Sequence, residues 1–172
     1  SHYNISMSNF FYRVSSWIGA FGPSLTVLTV MGNIANMGMD NMGYFLLMIW
    51  QPVSIGINNV LKWIIDEDRP KGSKDVNRLE RLIEWGEHGR GMPSGHAQMV
   101  SSALVLAICL NLPIWLQILC TIQIVTTIWQ RYAYKKHTKL QLAFGLLTGS
   151  VYSLFFSKFL EKHIDGNSLK VK

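Results

Sequence analysis

Three short basic stretches hold the residues best equipped for chemistry: Lys62-x6-Arg69-Pro70, Gly91-Met92-Pro93-Ser94-Gly95-His96 and Arg131-x5-His137. Arginine offers a planar fork of N–H donors that grips phosphate through two parallel bonds, and lysine adds a point charge. Pro93 suits the first turn of a helix, where its missing N–H has no partner to lose. The amides after it point outward without intrahelical acceptors and make an anion site. Ser94 adds a hydroxyl donor there, and Gly95 lets a phosphate approach the backbone. An imidazole titrates near neutrality, so His96 suits protonation of a leaving oxygen and His137 suits attack on phosphorus to give a phosphohistidine. With Lys62, Arg69 and Arg131 neutralising the equatorial oxygens, the scheme requires no metal and no other cofactor.

The elements that position these stretches are apolar. Hydrophobic residues make up 49% of the chain and charged ones 15%, and no charge falls between Val14 and Met39 or between Gln98 and Gln130. About 20 helical residues cross a hydrocarbon core of about 30 Å. The pattern predicts an all-α, polytopic transmembrane bundle of about five spans, forming a single integral-membrane domain over residues 1–172. The expected spans are 15–34 (interrupted by Gly19, Gly22 and Pro23), 44–65, 93–110, 114–130 and 140–157, with a polar, mobile tail over 158–172. Alternating span directions bring all three basic stretches to one side of the membrane, although they lie up to 75 positions apart. The net charge of +6 suits anionic headgroups. Nucleic acid is not expected as a partner of a chain with such apolar runs.

Gln51, Ser54, Asn58, Lys62, Asp66 and Arg69 are spaced 3, 4, 4, 4 and 3 apart, a single helical face that suits a bundle interior. Gln51, Ser54 and Asn58 fit helix–helix hydrogen bonding, and Asp66 fits a pair with Lys62. The residue before a proline leaves the α region, so this helix is expected to end near Arg69. Tyr134, Lys135, Lys136 and Lys139 read as a solvated face touching anionic lipid, and His88 and His163 as surface histidines. Cys109 and Cys120 read as small buried hydrophobes. Val76, Leu79, Leu82 and Ile83 alternate with charges and predict a short amphipathic helix in the loop on the active-site side, either a lid or lipid guide or a plain connector. Gly145-x3-Gly149 permits close packing, as an internal seam or as a contact that makes a homo-oligomer.

Taken together, the three stretches resemble the signature of the type 2 phosphatidic acid phosphatase superfamily: Lys-x6-Arg-Pro, Pro-Ser-Gly-His and Ser-Arg-x5-His-x3-Asp. Lys62, Arg69, Pro70, Pro93, Ser94, Gly95, His96, Arg131 and His137 match it in order and spacing. The resemblance implies metal-independent hydrolysis of a lipid phosphate or diphosphate. It implies Lys62, Arg69, Ser94, Gly95 and Arg131 as phosphate ligands, His137 as nucleophile and His96 as general acid. Two positions depart: Gln130 stands where Ser is usual, and Gln141 where an Asp normally holds the nucleophilic His. Four residues after His137, Gln141 can face the ring and fix its tautomer, but it cannot stabilise imidazolium as a carboxylate would.

Three carboxylates, Asp66, Glu67 and Asp68, are candidates to supply the missing charge. Alternatively, His137-Thr138-x2-Gln141 and Met92-Pro93-Ser94-x-His96-x-Gln98 resemble the dolichyl diphosphatase branch, in which Gln at this position marks a subfamily. The expectations are therefore a polyisoprenyl diphosphatase, a phosphatidate-type or broad lipid phosphatase, or a phospholipid-binding homologue impaired by Gln141. Its partners would be the lipid substrate and membrane lipids. The expected location is a multi-pass position in a membrane such as the endoplasmic reticulum. Family resemblance puts the site on the lumenal or extracytoplasmic side, whereas 12 Lys/Arg on the site face against four on the other argue for the cytoplasm.

Overall fold

The computed structural model describes residues 2–72 and 90–165, the side chains of 2–13, 15 and 16 excepted. Its elements are α1 (His2–Ala35), α2 (Asn41–Ile65), α3 (Gly95–Cys109), α4 (Ile114–Ala133) and α5 (Lys139–Leu160), followed by a 3-10 turn at Glu161–His163. Trp17–Ala35, Asn41–Ile65 and Lys139–His163 are long and apolar enough to cross a membrane. α3, with 15 residues, rises only about 22 Å. It packs against all four other helices, most extensively against α5, and so occupies the middle of the bundle. α4 has 20 residues, but Gln123 and Gln130 dilute its hydropathy because both turn inward.

The distribution of side chains is that of a protein in lipid. Leu25 and Leu28 of α1, Phe45, Met48 and Trp63 of α2, Ile114, Ile122 and Val125 of α4, and Leu147, Phe155 and Phe159 of α5 are all exposed, while Gln51, Asn58, Gln98, Gln130 and Gln141 are buried. In water each such apolar side chain would forgo about 1.5–3 kcal/mol of burial. A contiguous belt of them requires an apolar surround.

α1 runs through Gly19, Gly22 and Pro23 without a break. The glycines serve packing: α4 lies so close that a Cβ on Gly19 would collide with Gln130 and one on Gly22 with Gln123. Residues 158–165 are also more ordered than their polarity predicts. α5 continues to Leu160, Ile164 is buried and bridges to Met39, and Asp165 N–H donates to Gly38 O at 3.1 Å. His163 Nδ1 lies 3.0 Å from Asp40 Oδ2, and this bond holds the Asp40 carboxyl below its ordinary value. The apolar core lies toward this end, around the fully buried Val30, Ile34, Trp50, Leu106, Leu110, Leu116 and Leu160.

Gly145 and Gly149 form an internal seam. A Cβ on Gly145 would come within 2.5 Å of Ser94 O, and one on Gly149 would collide with Gln98 O and the Ser101 hydroxyl of α3. Gly149→Ala is therefore expected to destabilise the fold by about 1–3 kcal/mol through overpacking. Gly56→Ala, with nothing within 4 Å of the added Cβ, is expected to be neutral or stabilising through helix propensity. Thermal unfolding of both variants in detergent checks the contrast, and equal melting temperatures would contradict the seam.

Candidate active site

One end of the bundle gathers the C-termini of α2 and α4 and the N-termini of α3 and α5. Buried polar bonds fasten α2 to α3. Asn58 Nδ2 donates to Gln98 Oε1 at 2.7 Å, Gln98 Nε2 donates to Ser54 Oγ at 2.9 Å, and Gln51 Nε2 donates to Ser102 Oγ at 3.1 Å. Lys62 continues this face and is buried.

The stripe then stops earlier than its spacing suggests. α2 ends at Ile65, and Asp66 adopts a left-handed conformation with φ 48°. This turns Asp66 into solvent, where its carboxylate pairs with Arg90 Nε at 2.6 Å instead of with Lys62. The loop doubles back on itself: Gly91 N–H donates to Glu67 O at 2.6 Å, and Asp68 forms a bridge with Arg90. Arg69 therefore enters the site from a loop and not from the helical face.

α3 begins at Gly95, with Ser94 as its N-cap residue, so Pro93 lies just before the helix and not in its first turn. Gln98 N–H makes the first i→i−4 bond, to Ser94 O, and the amides of Gly95, His96 and Ala97 precede that ladder. The Ser94 amide is committed to Gln141 O at 3.1 Å. Its hydroxyl makes no cap bond; it is buried and has no hydrogen-bond partner among the described residues. Buried hydroxyls are nearly always paired, so this one has the character of a donor kept for a ligand. His96 is half-buried beside the backbone of Ala20 in α1, within electrostatic range of Arg131, His137 and Lys62.

Arg131 is fully buried in the last turn of α4. The helix closes with Lys136 N–H donating to Arg131 O at 2.9 Å and Lys135 N–H to Tyr132 O at 3.0 Å, around Lys135 at φ 54°. These bonds form a Schellman turn with lysine at the left-handed position, which glycine usually fills. The turn directs Lys136 inward, so it is fully buried, whereas Lys135 and Lys139 are exposed as the sequence predicts.

His137 follows that turn. Its Nδ1 lies 2.9 Å from Gly91 O and 3.3 Å from Gln141 Oε1. Both neighbours are carbonyl oxygens and only accept, so Nδ1 carries the proton and the Nε2 lone pair is available to react. Burial, reinforced by the charges of Arg131, Arg69 and Lys62, pushes the His137 pKa well below its ordinary value. The ring is therefore neutral at physiological pH, as a nucleophile requires.

Gln141 is built into this arrangement. Thr138 Oγ1 accepts from Gln141 N–H at 3.2 Å, and Gln141 Oε1 accepts from Thr138 N–H at 3.1 Å, which makes a capping box at the start of α5. The Gln141 amide donates to Glu67 Oε1 at 2.7 Å and to Asp68 O at 2.9 Å. Of the three candidate carboxylates, Asp66 faces Arg90, Asp68 contributes its backbone, and Glu67 reaches Gln141. Three participants went unread in the sequence. The spacing Thr138-x2-Gln141 carries the capping-box signal, but nothing local marks the carbonyl of Gly91 or the burial of Lys136. Gln130 is fully buried against α1, and its amide has no hydrogen-bond partner among the described residues. The expected amphipathic helix over 76–84 and His88 lie outside the described residues.

The structure thus brings Lys62, Arg69, Arg131 and His96 within electrostatic range of His137, with Ser94 and Gly95 beginning α3 beside His96 and Gln141 behind His137. The chain matches the family model described as the PAP2 superfamily over residues 42–165, nearly three quarters of its length. No curated protein and no solved structure matches it.

Proposed function

The chain belongs to the PAP2 superfamily, whose members are phosphatases, and on that premise we propose that it hydrolyses a polyisoprenyl, dolichyl-type diphosphate in a membrane through a phosphohistidine. The observation that carries this reading is the cluster of Lys62, Arg69 and Arg131 around a neutral His137 whose Nε2 is unprotonated. Nε2 of His137 forms a bond to the terminal phosphorus as the bond to the bridging oxygen breaks. His96, which takes up a proton once the diphosphate brings negative charge beside it, gives that proton to the bridging oxygen, and polyisoprenyl phosphate leaves. Water then attacks the phosphohistidine while His96 takes up its proton, and phosphate is released. Three cations, the Ser94 hydroxyl and the first amides of α3 stabilise the transferring group.

Two further features support the substrate class. Gln141 makes hydrogen bonds at both ends of its amide, which fits a residue tuned to its place better than a lesion. An apolar groove of about 540 Å³ runs between α2 and α5, walled by Ile57, Leu61, Phe144, Leu147, Val151 and Phe155. Its wall residues Leu61 and Phe144 stand next to Lys62 and three residues after Gln141 in the chain, which suits the groove to the hydrocarbon chain of a lipid whose phosphate lies in the site. The reading keeps the site on the lumenal or extracytoplasmic side, in the endoplasmic reticulum. Lys62 and Arg131 are buried beside the histidines, so they count less toward the charge of a loop facing the cytoplasm.

The test is phosphate release from dolichyl diphosphate and from phosphatidate in detergent micelles containing EDTA. Release from the diphosphate is expected to be faster and to survive the chelator. Preference for phosphatidate would move the assignment to a broad lipid phosphatase, and loss of release in EDTA would overturn the metal-independent scheme.

A further inference from the structure

We propose that Glu67 is a positioning residue that acts on His137 through the side chain of Gln141, a role that rests on the reading of His137 as nucleophile. The superfamily pattern places a carboxylate directly against the histidine. In this chain the position holds an amide, and the carboxylate stands one hydrogen bond further out. The Gln141 carbonyl faces two groups that donate, His137 Nδ1–H at 3.3 Å and Thr138 N–H at 3.1 Å. Its NH2 faces two groups that accept, the Glu67 carboxylate at 2.7 Å and Asp68 O at 2.9 Å.

A half-turn of the amide would set donor against donor and acceptor against acceptor at all four contacts. Glu67 therefore helps hold the carbonyl toward the imidazole and favours the tautomer with Nε2 free. It also polarises the amide, since donation to a carboxylate makes the carbonyl at the other end a stronger acceptor. That matters most when Nε2 takes the phosphoryl group and the Nδ1–H becomes a stronger donor. Of Asp66, Glu67 and Asp68, only Glu67 has its carboxylate on this chain of bonds, because Asp66 is held by Arg90 and Asp68 takes part through its backbone.

An isosteric exchange tests the idea. Gln141→Glu alone sets two carboxylates against each other where a 2.7 Å hydrogen bond now stands, and Glu67→Gln alone removes the charge. The double variant restores the amide–carboxylate bond in exchanged order, with the charge now directly on His137, and leaves only the contact to Asp68 O without its donor. Each single variant is expected to lose about tenfold in kcat at neutral pH, and the double variant to be several-fold faster than Gln141→Glu, the coupling expected of residues in direct contact.

The acid limb of the pH–rate profile supplies a readout that a purely structural role would not move. It is expected to shift to lower pH in Glu67→Gln and to higher pH in the double variant, where a carboxylate touches the ring. Lys62 of α2, Arg69 of the loop, His96 of α3 and Arg131 of α4 also face this histidine and are the same in all four proteins, so the shift reports the exchange alone. Melting temperatures of the four proteins give the same cycle without catalysis and are expected to show the double variant more stable than Gln141→Glu.

His137→Ala, assayed alongside, separates the two ways of failing. Release that does not depend on His137 sinks the proposed function. Release that needs His137, with a double variant no better than Gln141→Glu in rate or melting temperature, sinks the role of Glu67.

Discussion

Phosphate release is expected to fall at least ~10⁴-fold when His137 is replaced by alanine, the scale seen when the nucleophile of a covalent mechanism is removed. The magnitude follows from how completely the ring is prepared. Gly91 O and Gln141 Oε1 fix the proton on Nδ1, and burial among Arg131, Arg69 and Lys62 keeps the ring neutral. Among the described residues no base is placed to take over: His96 serves the leaving oxygen, the cations have no lone pair to offer, and the Ser94 hydroxyl has no base beside it to activate it. The same preparation predicts the pH profile. Activity needs the unprotonated ring, so kcat/KM is expected to fall as pH drops through the lowered His137 pKa, and its acid limb should lie below the ordinary imidazole value. Bound phosphate brings negative charge to the ring and favours the imidazolium. The limb of kcat should therefore lie at higher pH than that of kcat/KM.

His96→Ala provides the contrast that separates the two histidines. Its loss should shrink on an activated aryl phosphate, whose leaving group needs no proton, whereas the His137→Ala loss should be the same on both substrates. An equal loss in His96→Ala on both would contradict its role as the acid, and residual turnover above ~1% in His137→Ala would contradict nucleophilic attack by that residue.

How far the sequence revealed this arrangement depended on the range of the interaction. The shared face followed from counting apolar runs, because alternating spans must return their ends to the same side. The stripe from Gln51 to Lys62 was legible because helical spacing is regular, and these residues do bond or bury on one face. The spacing could not show that the stripe breaks at Asp66, because a left-handed aspartate is a conformational choice imposed by the loop that pairs with Arg90. Lys136 was misread for a similar reason. A lysine occupies the left-handed position of the turn at Lys135, so no glycine announced that the next side chain would point inward. Glu67 was one of three acids with equal claims until the doubled-back loop set Gly91 against Glu67 and brought Gln141 to its carboxylate. Local periodicity identified the elements, and contacts between residues some 70 positions apart selected among the candidates.

Arg131→Lys is expected to lower kcat by ~10²-fold, about 2.7 kcal/mol of transition-state stabilisation, while leaving the fold nearly intact. The substitution keeps the charge and the backbone. The backbone has its own task here, since the Arg131 carbonyl receives Lys136 N–H at 2.9 Å and His137 N–H at 3.4 Å and so places the proposed nucleophile. What changes is the donor pattern. A guanidinium can hold two equatorial oxygens of the transferring phosphoryl group in its plane, and an ammonium on a shorter reach holds one. The loss should appear in kcat more than in KM, because the equatorial oxygens spread and share charge most in the transition state. Charge alone is well supplied, with Lys62 and Arg69 beside the same histidine. Near-wild-type kcat in Arg131→Lys would therefore mean that Arg131 acts only as a counter-charge. A collapse of the melting temperature would mean instead that its buried side chain serves chiefly to hold the end of α4 in place. The planar-fork reading requires a slow enzyme that is still well folded, and kcat measured beside the melting temperature decides among the three.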